Sequence, residues 1–460
     1  MKNRFLLCSF CACFFAHASF ADVKPVSLFS DHMILQQGKP VSVWGDGDEG
    51  EKITVSFNGK EASTVVQNGH WMVKLPKMRY TTTPAALTIK GKNTVTINDV
   101  LVGEVWICSG QSNMERKLRP WGGQKDIVNW QQERDSANFP LIRQYFVPEK
   151  YSGDRLRDAN SNWSVCSPST VGEFSAVGFF FARDLYKKLK VPVGILFTAY
   201  GGTPAEDWTS REALKADSVL AHFVPNEPEL SNPANGKPRS GLFNTMINPL
   251  LPYTIKGAAW YQGEANSPRA EQYQHLLTKL IANWRQDFGQ GDFPFLIVQI
   301  APHKVMRPEI REAQLKVSET VKNTALIVTT DCGDSTDIHP AHKQPVGERL
   351  ALAARALAYG DKIEYSGPVY QSMAKQGANV ILSFSHAKKG FAKEATLKGF
   401  TLAGANNKYF SAAAEVRGNK IVVHSNDVKE PMAVRYGWAN VPDVNLFNAE
   451  GLPASPFRTE

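Results

Sequence analysis

Two short polar stretches of this chain hold the side chains best suited to acyl transfer. The first, Cys108-Ser109-Gly110-Gln111-Ser112-Asn113-Met114, follows the near-continuous apolar stretch Val102 to Ile107, broken by Glu104. A serine at the carboxyl end of a strand in a doubly wound sheet stands where such folds keep their crevice, and Ser112 there can act as a nucleophile. The same position also suits a plain helix cap. It is not the G-x-S-x-G elbow, because Met114 stands two residues after Ser112. The second stretch, Asp331-Cys332-Gly333-Asp334-Ser335-Thr336-Asp337-Ile338-His339-Pro340, follows ALIVTT. Histidine has the unperturbed pKa that suits a general base near neutrality, and a neighbouring carboxylate can fix its tautomer. Three aspartates so close together also resemble a calcium loop, but their spacing fails the EF-hand pattern and no glutamate closes it.

Two further stretches could bind a developing negative charge. In Ala199-Tyr200-Gly201-Gly202-Thr203-Pro204-Ala205-Glu206-Asp207-Trp208 the paired glycines let backbone N–H groups approach a ligand, as an oxyanion hole requires, although a simple turn has the same composition. In Trp260-Tyr261-Gln262-Gly263-Glu264-Ala265-Asn266 the Gln262 amide could donate to an oxyanion. Glu264 reads as structural, holding the Gln262 loop by hydrogen bonds. Any one stretch is ordinary. Four in succession, each at the end of a strand, form the pattern of a site assembled on one edge of a parallel sheet.

The elements that must position them are legible as periodicity. From Val23 to about Asn98, short alternating segments such as KITVSFNGK and HWMVKL predict a small antiparallel sandwich, with Asn58-Gly59 as a hairpin turn. From Val102 the pattern becomes apolar strands (VGEVWICSG, VGILFTA, KGAAWYQG, PFLIVQIA, ALIVTTD) alternating with helices. Phe174, Val177, Gly178, Phe181, Leu185 and Leu189 share one helical face. Further helices are predicted at about 272–288, from Pro308, and at 347–359, which gives a parallel sheet covered on both faces. Alternation returns beyond Lys362. The expected organisation is an export signal at 1–21, a β domain at 22–100, an α/β catalytic domain at 101–362 and a second β region at 363–460. The segment from Arg116 to Ser169 reads as irregular, and substrate specificity is expected there.

Composition narrows the function classes. Lys2 and Arg4, an apolar run from Phe5 and the small residues Ser19 and Ala21 read as a signal for export, cleaved after Ala21, so the chain is expected in the periplasm or outside the cell. Without that segment the formal charge falls from +8 to +6, and the basic residues form no stripe interleaved with aromatics, which argues against nucleic acid as a partner. No later stretch approaches the ~20 apolar residues of a membrane span. Cys108, Cys166 and Cys332 are an odd, sparse set and no disulfide framework.

In order along the chain, LFSDHMILQQGKPVSVWG, GEVWICSGQSNME, YGGTPAEDW, WYQGEAN, DIHPAHKQPVGERLA and AVRYGWANVPDVNLFNAEGLPASPFRT resemble the sialate O-acetylesterase family of carbohydrate esterases, within the SGNH hydrolase superfamily. The resemblance implies a flavodoxin-like three-layer α/β domain flanked by β-sandwich-like regions, no metal or other cofactor, and an O-acetylated carbohydrate as substrate. It implies Ser112 as nucleophile, His339 as base, and the N–H groups of Ser112 and of Gly202, or its neighbour Gly201, in the oxyanion hole. The superfamily's third donor is an asparagine, and the matching block here offers Gln262. Its usual aspartate stands three residues before the histidine, where this chain has Thr336. Asp337 is the expected orienter of His339, on the ground that residues i and i+2 share a face in an extended segment; Asp334 and a backbone carbonyl are the alternatives. O-acetylated sialic acids are the expected substrates. Rival readings are an acetylesterase of plant polysaccharide such as acetylated xylan, and a carbohydrate-binding protein without catalysis.

Overall fold

The computed structural model describes residues 22–224, 238–394 and 396–460, so the expected export signal lies outside the described residues. Its central feature is a mixed sheet built around one long strand, β1 (Thr94–Gly110). The other strands of its α/β part are β2 (Phe139–Phe146), β3 (Trp163–Cys166), β4 (Val193–Ala199), β5 (Gly257–Tyr261), β6 (Phe295–Val298) and β7 (Thr324–Ile327). They lie in the order β3-β2-β4-β1-β5-β6-β7, parallel throughout except for the antiparallel edge strand β3.

Alternation along these strands divides the core between two faces. Val105, Ile107, Ala258, Trp260, Phe295 and Ile297 join the cluster that packs helices α2 (Ala270–Phe288) and α3 (Pro308–Thr320). Trp106, Cys108, Ala259, Tyr261, Leu296 and Val298 join the cluster of α1 (Ala176–Leu189) and α4 (Gln344–Tyr359). With both faces covered, every residue of β4 and β5 is buried, hence the unbroken apolar runs in sequence. Ser175 caps α1, its Oγ accepting the Gly178 N–H at 3.1 Å while donating to the Met114 carbonyl at 2.7 Å, which ties the helix to the loop after β1.

The boundary expected between residues 100 and 101 falls inside β1. Thr94 to Asp99 is partly solvent-facing and pairs antiparallel with the strand Thr81–Lys90, whereas Val100 to Gly110 is continuously buried. One strand therefore carries both periodicities and reads in sequence as two elements. Antiparallel strands precede it, with Asn58 and Gly59 both at positive φ in the tight turn between Lys52–Phe57 and Lys60–Val65. At the other end of the chain, two four-stranded antiparallel sheets enclose a separate core around Val380, Leu402, Ile421 and Val434. The segment 116–169, read as irregular, supplies β2 and β3 at the sheet edge. Among the described residues no helix is long and apolar enough to cross a membrane.

Candidate active site

The carboxyl ends of β1, β4 and β5 meet where the chain leaves β1 in both directions, and hydrogen bonds lock their loops together. Gln111 N–H donates to the Tyr261 carbonyl at 3.0 Å and Tyr200 N–H to the Gly110 carbonyl at 3.1 Å. The Gln111 side-chain oxygen accepts the Ala265 N–H at 3.2 Å. Ser112 then opens a short helix, Ser112–Glu115, and its N–H has no intrahelical partner at that first position. Ser112 is half-buried. Ser109, three residues earlier, is fully buried within β1 with its hydroxyl unpartnered, out of reach of any substrate.

His339 arrives on the loop after β7, with Nε2 2.8 Å from Ser112 Oγ. Burial lowers the His339 pKa below the ordinary imidazole value of 6.5; the positive charges of Lys343 and Arg116 push the same way, and the Asp337 carboxylate opposes them. A neutral imidazole at this distance can take the hydroxyl proton of Ser112. The Asp337 Oδ1 stands 4.0 Å from His339 Nδ1, beyond a hydrogen bond, and accepts instead the His339 backbone N–H at 2.8 Å. Asp334 is engaged elsewhere. Its Oδ1 accepts the Thr336 N–H at 2.9 Å, the Thr336 hydroxyl at 2.8 Å and the Asp337 N–H at 3.2 Å, and its Oδ2 pairs with Lys125. Two of the three clustered aspartates thus shape the histidine loop. The third, Asp331, forms a bidentate pair with Arg349 at 2.7 and 2.5 Å.

The two glycines after β4 do different work. A Cβ on Gly201 would lie 2.8 Å from Glu115 Oε2, the free end of a side chain, and 3.2 Å from the Ser112 Cβ, so a side chain here would press on the serine. Gly202 has open space around it but a φ of +70°, a left-handed conformation that side chains resist. Among the described residues no acceptor takes the N–H of Ser112 or of Gly202. Burial, with the charge and hydrogen bond of Glu149, raises the Glu115 pKa to about 7. Both glutamates line a cavity of about 130 Å³ together with Lys117, Arg119, Pro120 and Trp121. Neither glutamate stood out in the sequence, because their proximity depends on where the segment after Ser112 folds.

Gln262 stands differently from the expectation of a free donor. Its side chain is fully buried, and Nε2 donates to the Thr203 carbonyl at 3.1 Å and to Asn266 Oδ1 at 2.7 Å, which uses both amide hydrogens. Its Oε1 accepts the Tyr273 hydroxyl at 2.8 Å. The amide thus fastens the glycine loop to the loop after β5. Glu264 fulfils the structural reading through a different contact: its Oε1 accepts the Asn113 amide at 2.6 Å, linking the loops after β1 and β5. Cys108, Cys166 and Cys332 are free and buried, and burial raises all three thiol pKa values. Among the described residues no three His, Cys, Asp or Glu side chains are grouped to hold a metal ion.

Over most of its length the chain is similar to known carbohydrate esterases. Residues 102–356 match the family model described as carbohydrate esterase, sialic acid-specific acetylesterase. The sialate O-acetylesterase of Rattus norvegicus is 30% identical over 514 residues, covering 94% of this chain and 93% of the rat protein. That of Homo sapiens is 29% identical, with 94% and 91% covered. A crystal structure of a carbohydrate acetylesterase from Xanthomonas citri superposes with a TM-score of 0.86 at 35% identity, covering 95% of this chain and all of that one. The chain belongs to the sialic acid-specific acetylesterase family of carbohydrate esterases and is a carboxylic ester hydrolase.

Proposed function

We propose that the enzyme removes O-acetyl groups from sialic acids through an acetyl-enzyme on Ser112. The observation that carries this reading is the 2.8 Å contact between Ser112 Oγ and His339 Nε2 at the carboxyl edge of the sheet. His339 takes the hydroxyl proton as Ser112 Oγ attacks the acetyl carbonyl. The N–H groups of Ser112 and Gly202 stabilise the tetrahedral oxyanion, which forms only along the reaction path. Collapse breaks the ester bond, and His339 returns its proton to the departing sugar oxygen. Water, deprotonated by the same imidazole, then hydrolyses the acetyl-enzyme to acetate and free Ser112. Asp337 stabilises the imidazolium by its charge and holds the His339 backbone. Gln262 serves the oxyanion by fixing the Gly202 loop.

The sialate esterase relatives support sialic acid as the sugar, and the broader name of the Xanthomonas citri protein keeps other acetylated carbohydrates in view. Acetate release from O-acetylated sialic acid, measured beside release from acetylated xylan, tests the assignment. Faster turnover of xylan would move the substrate to plant polysaccharide. The helix-covered parallel sheet supports a flavodoxin-like SGNH hydrolase domain at 101–362 with β domains at 22–100 and 363–460. The signal-like residues 1–21 support action in the periplasm or outside the cell, and N-terminal sequencing of exported protein that begins near Asp22 is the expected result.

A further inference from the structure

Lys343 is 1% exposed, immediately before α4, and its ammonium hydrogen-bonds the Asn113 side-chain oxygen. Asn113 follows the nucleophile directly, and its amide nitrogen donates to Glu264 Oε1 at 2.6 Å and to the Ile338 carbonyl at 3.0 Å. One buried asparagine therefore joins the serine loop, the loop after β5 and the residue preceding His339. Its oxygen is held by Lys343. The second Glu264 oxygen is buried with no hydrogen-bond partner, and the lysine nitrogen lies 5.3 Å from the Tyr261 ring centre. An ammonium so enclosed is costly unless paired, and a purely structural link could be made by a neutral donor.

We propose that Lys343 is a positioning residue for the Ser112–His339 pair, orienting it through the Asn113 side chain that it holds. The proposal rests on the reading of Ser112 and His339 as the reacting groups. The charged or titratable groups acting on His339 are Lys343, Asp337, Arg116 and His303; those acting on Lys343 are Glu264, Arg116, Cys332 and Asp337. Burial lowers the Lys343 pKa to about 7, while Glu264 opposes that fall. Below about pH 7 the lysine carries its charge, the range in which His339 must resist protonation. Removing the charge lets His339 take up a proton at higher pH, so the acid limb of activity moves upward.

The test is the pH profile of kcat/KM for an activated acetyl ester, measured for Lys343→Met and Lys343→Gln, with folding checked by circular dichroism. Lys343→Met loses both the donor and the charge, and kcat should fall by roughly 10²-fold with a smaller change in KM, as expected for misplacement of a reacting group. Its acid limb should move to higher pH. Lys343→Gln keeps a donor toward Asn113, so kcat should lie closer to wild type while the limb still moves. If Lys343→Met does not fold, the limb of Lys343→Gln decides. A folded variant with an unmoved acid limb overturns the role of the charge, and wild-type kcat in folded Lys343→Met overturns positioning. Ser112→Ala, assayed alongside, separates the two levels: turnover retained there defeats the reading of the site itself, whereas its loss with normal Lys343 variants defeats only this proposal.

Discussion

The carboxylate of Asp337 binds the backbone of His339 rather than its ring, accepting the main-chain N–H at 2.8 Å while standing 4.0 Å from Nδ1. Its influence on the imidazolium is therefore Coulombic. Asp337→Asn keeps an acceptor for the backbone and removes the charge, so kcat should fall by roughly 10²-fold, less than the roughly 10⁴-fold cost of an orienter bonded directly to the ring. Asp334→Asn, in a turn bonded to Thr336 and Lys125, should remain near wild type. Steady-state kinetics above the imidazole pKa make the comparison. The reverse order would move the charge to Asp334, and two variants within about tenfold of wild type would make Ser112 and His339 a dyad.

The acid limb of kcat/KM should lie below pH 6.5. Burial, Lys343 and Arg116 hold the His339 pKa beneath that value, so the base stays neutral and active until the pH falls through its lowered pKa. A pH–rate profile with an activated ester checks this. A limb above 6.5 would mean that the Asp337 charge outweighs burial.

Gln262→Ala should lower stability and kcat together. It strands the buried Thr203 carbonyl, at a cost of about 1–3 kcal/mol, and takes one partner each from Asn266 Oδ1, which keeps the Ala205 N–H, and from the Tyr273 hydroxyl, which keeps the backbone carbonyl of residue 262. Urea unfolding read beside kinetics decides the role. Unchanged stability with a large loss of kcat would return Gln262 to direct donation toward the oxyanion.

The paired glycines should respond differently to alanine. At Gly201 the new methyl meets Glu115 and Ser112, so kcat should fall sharply. Gly202→Ala meets no atom, but its left-handed backbone adds roughly 1–2 kcal/mol of strain. Thermal melts and kinetics on both variants separate steric displacement of the serine from strain of the loop. An undisturbed kcat in Gly201→Ala would contradict the close approach.

Much of this site is legible in sequence because buried parallel strands write themselves as unbroken apolar runs, and Ser112, Gly201, Gly202 and His339 each follow one. The strand Phe139–Phe146 escaped notice because Pro140, Arg143 and Gln144 interrupt its apolar residues, although Arg143 and Gln144 are themselves buried. The Gln262 amide reads as a free donor until the fold brings Thr203 and Asn266 to it. Nothing local in the sequence marks Lys343, because only tertiary packing brings Asn113 and Glu264 around it. Residue types and strand ends are local information. Donor direction and burial of a charge are set by segments far apart in the chain.

The most direct measurement is kcat for acetate release by Ser112→Ala, in protein shown by circular dichroism to be folded. Loss of the nucleophile removes nearly all chemistry from a concerted serine site, so turnover should fall by at least about a thousandfold. A folded variant that keeps more than about a hundredth of wild-type kcat would contradict nucleophilic catalysis by Ser112.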